Sequence, residues 1–298
     1  MHFLAVLNRD GGTLRTTDLD ALSARMRAKL EAAGHSLEVE VVAGRHVVDA
    51  LAKAASSRTA DVILAGGGDG TISAAAGCLK DTHKALAVLP AGTMNLFARS
   101  LGIPLTLDAA IDAFAAGKIA AVDVATANDR PFIHQFSIGM HAKMVRLRER
   151  MEFGSRLGKI RASLRATWNT IHNPPTMKVE MRIGDAEVLA RTAGIGITNN
   201  LFGEGHLPYA DHPDGGTLGI YVTVARQRTK LIKFLFNMVL GKWRNNDQVE
   251  IHQAERVVLN ILAPKRRQRC VIDGELQRLD RQTTVVIHPK SLQVLVPG

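Results

Sequence analysis

Cysteine is scarce in this chain: Cys78 and Cys270 are the two thiols among 298 residues. They lie far apart and lack metal-ligand spacing, which excludes a disulfide framework and a thiolate zinc site and leaves them as reduced packing residues. The eleven histidines contain no H-x-x-x-H pair, so the usual helical zinc pattern is missing too. Aromatic residues make up only 4% of the chain. No helix-turn-helix, RNP or zinc pattern accompanies them, so no nucleic acid partner is expected. Long hydrophobic runs are also missing. No stretch reaches the roughly 18 apolar residues that would cross a bilayer, and the first seven residues have no basic region of a signal peptide. A cytoplasmic location is the expectation. Hydrophobic residues reach 46%, so low-hydrophobicity disorder is excluded and two cores are affordable at this length.

What is present concentrates in two glycine loops. Val62-Ile63-Leu64-Ala65 is a short buried strand, and Gly66-Gly67-Gly68-Asp69-Gly70-Thr71 ends it before a helix-like run over 71–79. Glycine lets the backbone approach a ligand closely. The helix start turns unpaired N–H groups and a positive dipole end to the same spot. That makes a phosphate cradle, with Asp69 placed to reach Mg²⁺ or a nucleotide hydroxyl. The spacing fits neither G-x-G-x-x-G nor the Walker pattern, because no lysine follows. A tight strand-to-helix turn is the plain alternative.

A second strand, 85–89, runs into Pro90-Ala91-Gly92-Thr93-Met94-Asn95-Leu96-Phe97-Ala98-Arg99, then Leu101-Gly102-Ile103-Pro104. The two loops together resemble the catalytic domain of the diacylglycerol kinase and sphingosine kinase superfamily, and the bacterial soluble lipid kinases in particular. Asn8 with Gly11-Gly12, Ala121-Val122-Asp123-Val124 and Val271-Ile272-Asp273-Gly274-Glu275 extend the likeness over nearly the whole chain. Departures occur at Asn8-Arg9-Asp10-Gly11-Gly12, where relatives carry N-P-x-S-G, and at Ser73 and Leu96, where many carry Asn and a polar residue. NAD kinases share the first loop, but their N-x-G-x-x-G-F-L motif has no match here.

The chain divides into two patterns. Up to about residue 124, strands alternate with helices (strand 3–7, helix 19–33, strand 37–42, helix 47–54, then the two loop units), which predicts a doubly wound, mostly parallel sheet. Ligands in such sheets bind beyond the C-terminal strand ends, where both loops fall. Residues 125–283 are richer in strands (178–183, 187–192, 216–223, 249–252 and 257–262) and predict a β-sandwich-like domain. The resemblance implies that 284–298 returns to complete the first domain. A helical stripe is read over 156–171. The run 226–244 carries six Lys/Arg and no acid around Leu, Phe and Trp, a pattern suited to an interfacial helix or to an ordinary helix with a solvated face. With a net charge of +10, the expected surface partner is an anionic membrane.

Phosphoryl transfer needs the phosphates held, their charge neutralised and a proton removed from the acceptor hydroxyl. The resemblance implies an ATP- and Mg²⁺-dependent kinase acting on a membrane lipid such as diacylglycerol. Its nucleotide contacts would be Asn8, Gly66, Gly67, Gly68, Gly70, Thr71, Gly92, Thr93 and Asn95, and Asp69 would reach the nucleotide through Mg²⁺. Charge neutralisation is also expected from Arg99 or the basic stretch 265–269. Asp273 and Glu275 are the candidate bases, read as two residues on one strand face with Gly274 between them; an Asp-Gly hairpin turn with a solvated Glu is the alternative. Asp123 is carried as an orienter of the base or a domain-end cap. Tyr209-Ala210-Asp211-His212-Pro213-Asp214-Gly215-Gly216 resembles the family stretch that holds a second Mg²⁺, which implies Asp214, with Asp211 as its partner. A homodimer is left open, as are an NAD kinase-like enzyme and a non-catalytic nucleotide- or lipid-binding regulator.

Overall fold

The computed structural model describes residues 1–149, 165, 167–170, 172, 174–203, 207–225, 228–239, 247–262 and 268–298. The first half runs β1 (His2–Asn8), α1 (Leu19–Ala32), β2 (Ser36–Val42), α2 (Val47–Ala55), β3 (Val62–Gly67), α3 (Asp69–Leu79), β4 (Ala85–Pro90), α4 (Leu96–Ser100) and α5 (Leu107–Ala115). Helix α1 starts where Asp18 accepts hydrogen bonds from the Asp20 and Ala21 amides, and it buries Leu22, Met26 and Leu30. Such a cap contributes about 1 kcal/mol. Every residue of β3 and β4 is buried, as expected for parallel strands covered on both faces. The strand order β2-β1-β3-β4 is parallel throughout. The chain reverses direction across the sheet between β1 and β3, so their C-terminal loops open a crevice there.

The second half continues with β5 (Lys118–Ala127), β6 (Arg130–Phe132), β7 (Gln135–Gly139), α6 (Met140–Glu149), β8 (Met177–Ile183), β9 (Ala186–Thr192), β10 (Gly194–Thr198), β11 (Leu218–Thr223), α7 (Arg228–Val239), β12 (Val249–Ala254), β13 (Arg256–Leu262), β14 (Arg269–Ile272), β15 (Glu275–Arg278) and β16 (Gln282–Val296). A six-stranded antiparallel sheet, β12-β11-β10-β7-β14-β15, faces β13, β8, β5 and the first half of β16. Phe136, Ile138, Ile195, Ile220, Val257 and Val285 belong to the core between them. This is a sandwich-like arrangement.

The two halves share one sheet. Strand β16 pairs with β13 and β5 over its first part, passes a bulge between His288 and Leu292, and then pairs with β4 in parallel through Gln293 and Val294. The ten-stranded sheet therefore runs unbroken from the nucleotide-type half into the sandwich. Of the stripe expected over 156–171, residues 165 and 167–170 are described and helical; the rest lies outside the described residues. Helix α7 covers the middle of the basic run 226–244, whose ends also lie outside. Among the described residues no helix is long and apolar enough to cross a membrane.

Candidate functional site

A cleft of about 630 Å³ opens at the β1/β3 crevice, a size typical of a small-molecule site. Asn8, Gly11 and Gly12 form one wall, Gly68, Gly70, Thr71 and Ser73 the floor, and Arg130, Asp273, Glu275 and Gln277 the opposite wall. The floor is the start of α3. Gly68 stands at its N-cap, and the Thr71 and Ile72 amides bond back to the Gly68 carbonyl. The preceding amides of the first turn point outward, as at any helix N-terminus. Asn8 reaches this turn directly: its Nδ2 donates to Thr71 Oγ1 at 3.2 Å. Gly66 and Gly67 end β3, and Gly67 faces the Thr71 side chain.

The second loop is strapped to the first. Asp69 Oδ1 accepts from the Leu96 amide at 2.8 Å, and Oδ2 accepts from the Asn95 amide at 3.2 Å. Asn95 has a left-handed backbone (φ +49°), a conformation that asparagine tolerates. Its side chain closes the loop on Gly92, accepting from the amide at 2.8 Å and donating to the carbonyl at 3.0 Å. A methyl on Gly92 would lie 2.8 Å from Gly68 Cα, so glycine lets the two backbones meet. The loop after β1 joins them where the Thr13 amide donates to the Ala91 carbonyl at 2.8 Å. Asp69 and Asn95 therefore build the cradle by holding backbone to backbone. Thr93 is exposed at the tip, and Arg99 Nε donates to the Met94 carbonyl at 2.9 Å.

The strand-face reading of Asp273 and Glu275 is corrected. Asp273 (φ +43°) and Gly274 (φ +87°) are the two-residue turn between β14 and β15, with Ile272 paired to Glu275. Positive φ at both central positions is the hairpin geometry that Asp-Gly favours. The two carboxylates consequently do different things. Asp273 Oδ1 accepts from the His134 and Gln135 amides at 3.0 and 2.9 Å, and Oδ2 from the Ile133 amide at 2.9 Å and from Ser73 Oγ at 2.6 Å. Burial raises its pKa above the usual carboxylate range, and the four donors oppose that rise. Glu275 is exposed in the cleft. A methyl on Gly70 would lie 3.6 Å from its Oε1, so this carboxylate stands over the phosphate-type loop.

The remaining candidates lie elsewhere. Asp123 is fully buried and accepts from the Gly216 amide at 2.7 Å and the Lys290 amide at 2.8 Å. It thus fastens the 213–216 turn and the β16 bulge at the junction of the two halves, outside the cleft. Asp214 lines a separate hollow of about 310 Å³ with Ser100 and Pro297, and the exposed Asp211 packs its carboxylate where Gly203 leaves room. Among the described residues no group of three or more His, Cys, Asp or Glu gathers as a metal site. Residues 265–267 of the expected basic stretch lie outside the described residues.

Three cleft or near-cleft residues carried no sequence signal strong enough to single them out for a role. Ser73 shares a helix face with Gly70, Ala74 and Gly77, but its partner is 200 positions away. Arg130 comes into the wall through the β5–β6 hairpin. His134 stacks on Phe202 with ring centroids 5.3 Å apart, and burial pulls its pKa down to about 4 against the opposing charge of Asp69.

Residues 2–127 match the diacylglycerol kinase catalytic domain, and residues 135–296 match the YegS C-terminal NAD kinase beta sandwich-like domain. A Synechocystis protein of uncharacterized function is 29% identical over 79% of this chain and 54% of its own length. A Yersinia enterocolitica protein named "Probable lipid kinase YegS-like" is 37% identical over 28% of this chain and 30% of its own. The diacylglycerol kinase of Staphylococcus saprophyticus is 37% identical over 36% and 35%. The chain thus aligns with about half the length of the first of these relatives and about a third of the others. A crystal structure of a Bacillus anthracis protein described as a diacylglycerol kinase has the same fold, with TM-score 0.71 at 18% identity over 100% of this chain and 97% of that one. A second structure from that organism reaches TM-score 0.76 at 22% identity, over 100% and 95%. With both halves matched in order, this chain belongs to the diacylglycerol kinase/YegS-type lipid kinase family.

Proposed function

We propose that this chain transfers the γ-phosphoryl group of ATP to the hydroxyl of a membrane lipid, with diacylglycerol as the working acceptor. The observation that carries the reading is the Glu275 carboxylate standing over Gly70, in a cleft whose floor is a helix N-terminus free of side-chain capping. The outward amides at the start of α3 hold the phosphates. Asn8 and Thr71 fix the first wall, and Asp69 and Asn95 keep the Gly92 loop against it. Glu275 takes the proton from the acceptor hydroxyl as that oxygen attacks phosphorus, which is the general-base step the reaction needs. Magnesium uses one or two carboxylates together with substrate phosphates. Asp69 fits that demand, since its two amide contacts leave lone pairs on both oxygens; bound there, the ion would neutralise charge on the phosphates.

The lipid reading adds a peripheral membrane contact at α7. Its Leu231 is fully buried, while Ile232 is 47% exposed beside exposed Lys230 and Lys233. That is one inward anchor with basic and apolar groups turned outward, as an interfacial helix requires. Incubation with γ-labelled ATP, Mg²⁺, NAD and vesicles of diacylglycerol in anionic phospholipid tests the function. Label in phosphatidic acid is the expected result. Label in a different lipid moves the acceptor, label in NAD moves the enzyme to the NAD kinase class, and no label in any acceptor refutes the kinase.

A further inference from the structure

We infer that Ser73 is a positioning residue that latches the Glu275 hairpin onto the phosphate-binding helix, a proposal that rests on Glu275 acting as the base. Ser73 lies in the second turn of α3, on the face that forms the cleft floor, and donates to Asp273 Oδ2 at 2.6 Å. A hydroxyl-to-carboxylate bond of this length is charge-assisted and belongs to the stronger class. Its partner is the first residue of a two-residue turn, and Glu275 follows two positions later.

The other three donors to Asp273 are backbone amides of residues 133–135. They tie the turn to the sandwich half alone. The Ser73 bond crosses from the sandwich to α3, the element whose first turn forms the cradle. Among the described residues β15 is an edge strand paired to β14, with Leu276 packed beside Ala142 and Val145 of α6, so the turn that precedes it is its link to α3. Without the Ser73 hydroxyl the turn keeps its own fold but loses its tie to α3, and Glu275 drifts relative to the loop. The side chain touches no reacting atom; it acts through Asp273.

The test is a double-mutant cycle in the full chain with γ-labelled ATP and vesicles of diacylglycerol in phosphatidylglycerol. Ser73→Ala should lower kcat about ten- to hundredfold with little change in KM for ATP. Ser73→Thr, which keeps the hydroxyl, should restore kcat to within about threefold. In the Glu275→Gln background, Ser73→Ala should cost less than about twofold, because residues acting as a unit are not additive. An equal loss in both backgrounds overturns the latch, as does full activity of Ser73→Ala or a loss confined to KM. Near-normal turnover of Glu275→Gln alone overturns the base assignment and the latch with it. A slow Glu275→Gln with additive Ser73→Ala overturns the latch and leaves the base standing.

Discussion

Replacing Asp69 with Asn isolates how the cradle is built. The aspartate accepts two backbone amides, Leu96 at 2.8 Å and Asn95 at 3.2 Å. Asparagine keeps the shape but offers one oxygen, so its NH₂ must face one of the two amides donor to donor. The weaker contact, at Asn95, is the one expected to break. An amide left without its acceptor costs about 1–3 kcal/mol, and the surviving bond loses its ionic character. The loop is half-buried and its tip exposed, so water reaches the freed amide and the low end of that range applies. Asn95 still closes on Gly92, and Phe97 and Ala98 remain in the core, so the damage stays local. The expected outcome is amide exchange at residues 95 and 96 faster by roughly five- to tenfold, a slightly lower melting temperature and turnover reduced by more than tenfold. Hydrogen exchange by mass spectrometry on a peptide spanning the second loop measures the first effect, and the labelled-ATP assay the last. Lost turnover with unchanged exchange would refute the strap and leave Asp69 acting solely on the metal or nucleotide. Faster exchange with full turnover would show that loop position does not matter for catalysis.

Three further outcomes are open to measurement. At Gly12 (φ +44°) an added Cβ would coincide with the Ala91 carbonyl, whereas at Gly102 (φ +66°) it would meet nothing within 4 Å. Gly102→Ala should therefore cost only the backbone strain of about 1–2 kcal/mol, and Gly12→Ala a further 1–3 kcal/mol from overpacking; equal urea midpoints for the two variants would refute the loop contact. Because burial depresses the His134 pKa to about 4, the unfolded chain, titrating near 6.5, takes up this proton first as pH falls. Stability should thus drop by up to about 3 kcal/mol between pH 6.5 and 4, and His134→Gln should flatten that limb of the urea-unfolding profile; an unchanged limb would place the effect elsewhere. Finally, changing Lys230, Lys233 and Lys242 to Gln should weaken sedimentation with anionic vesicles and its salt dependence, while sparing turnover of a short-chain soluble acceptor. Unchanged sedimentation would move the membrane contact off this segment.

Local elements and the loops between them are written in short-range patterns of residues. Four apolar residues before a glycine cluster read as a buried strand meeting a tight turn, and β3, α3 and β4 form where the pattern puts them because their signals are short-range. The Asp273–Gly274 pair was equally legible as turn chemistry, since positive φ at two successive residues is a property of those residue types. What the sequence could not decide is what each turn is held against. Asp69 reads as a charge in a loop, yet its oxygens are engaged by amides 26 and 27 positions on. Ser73 reads as an ordinary helix residue until the sandwich brings Asp273 to it from 200 positions away. Two carboxylates two residues apart are divided into a half-buried strut and an exposed cleft residue by packing against α3 and the 133–135 backbone. The single sheet shared by both halves has the same origin: the resemblance implied that 284–298 returns to the first half, and only the pairing of β16 with β13, β5 and β4 makes the sheet continuous. Propensity and turn geometry are fixed within a few residues, whereas burial, hydrogen-bond partner and orientation belong to the neighbour that the fold supplies.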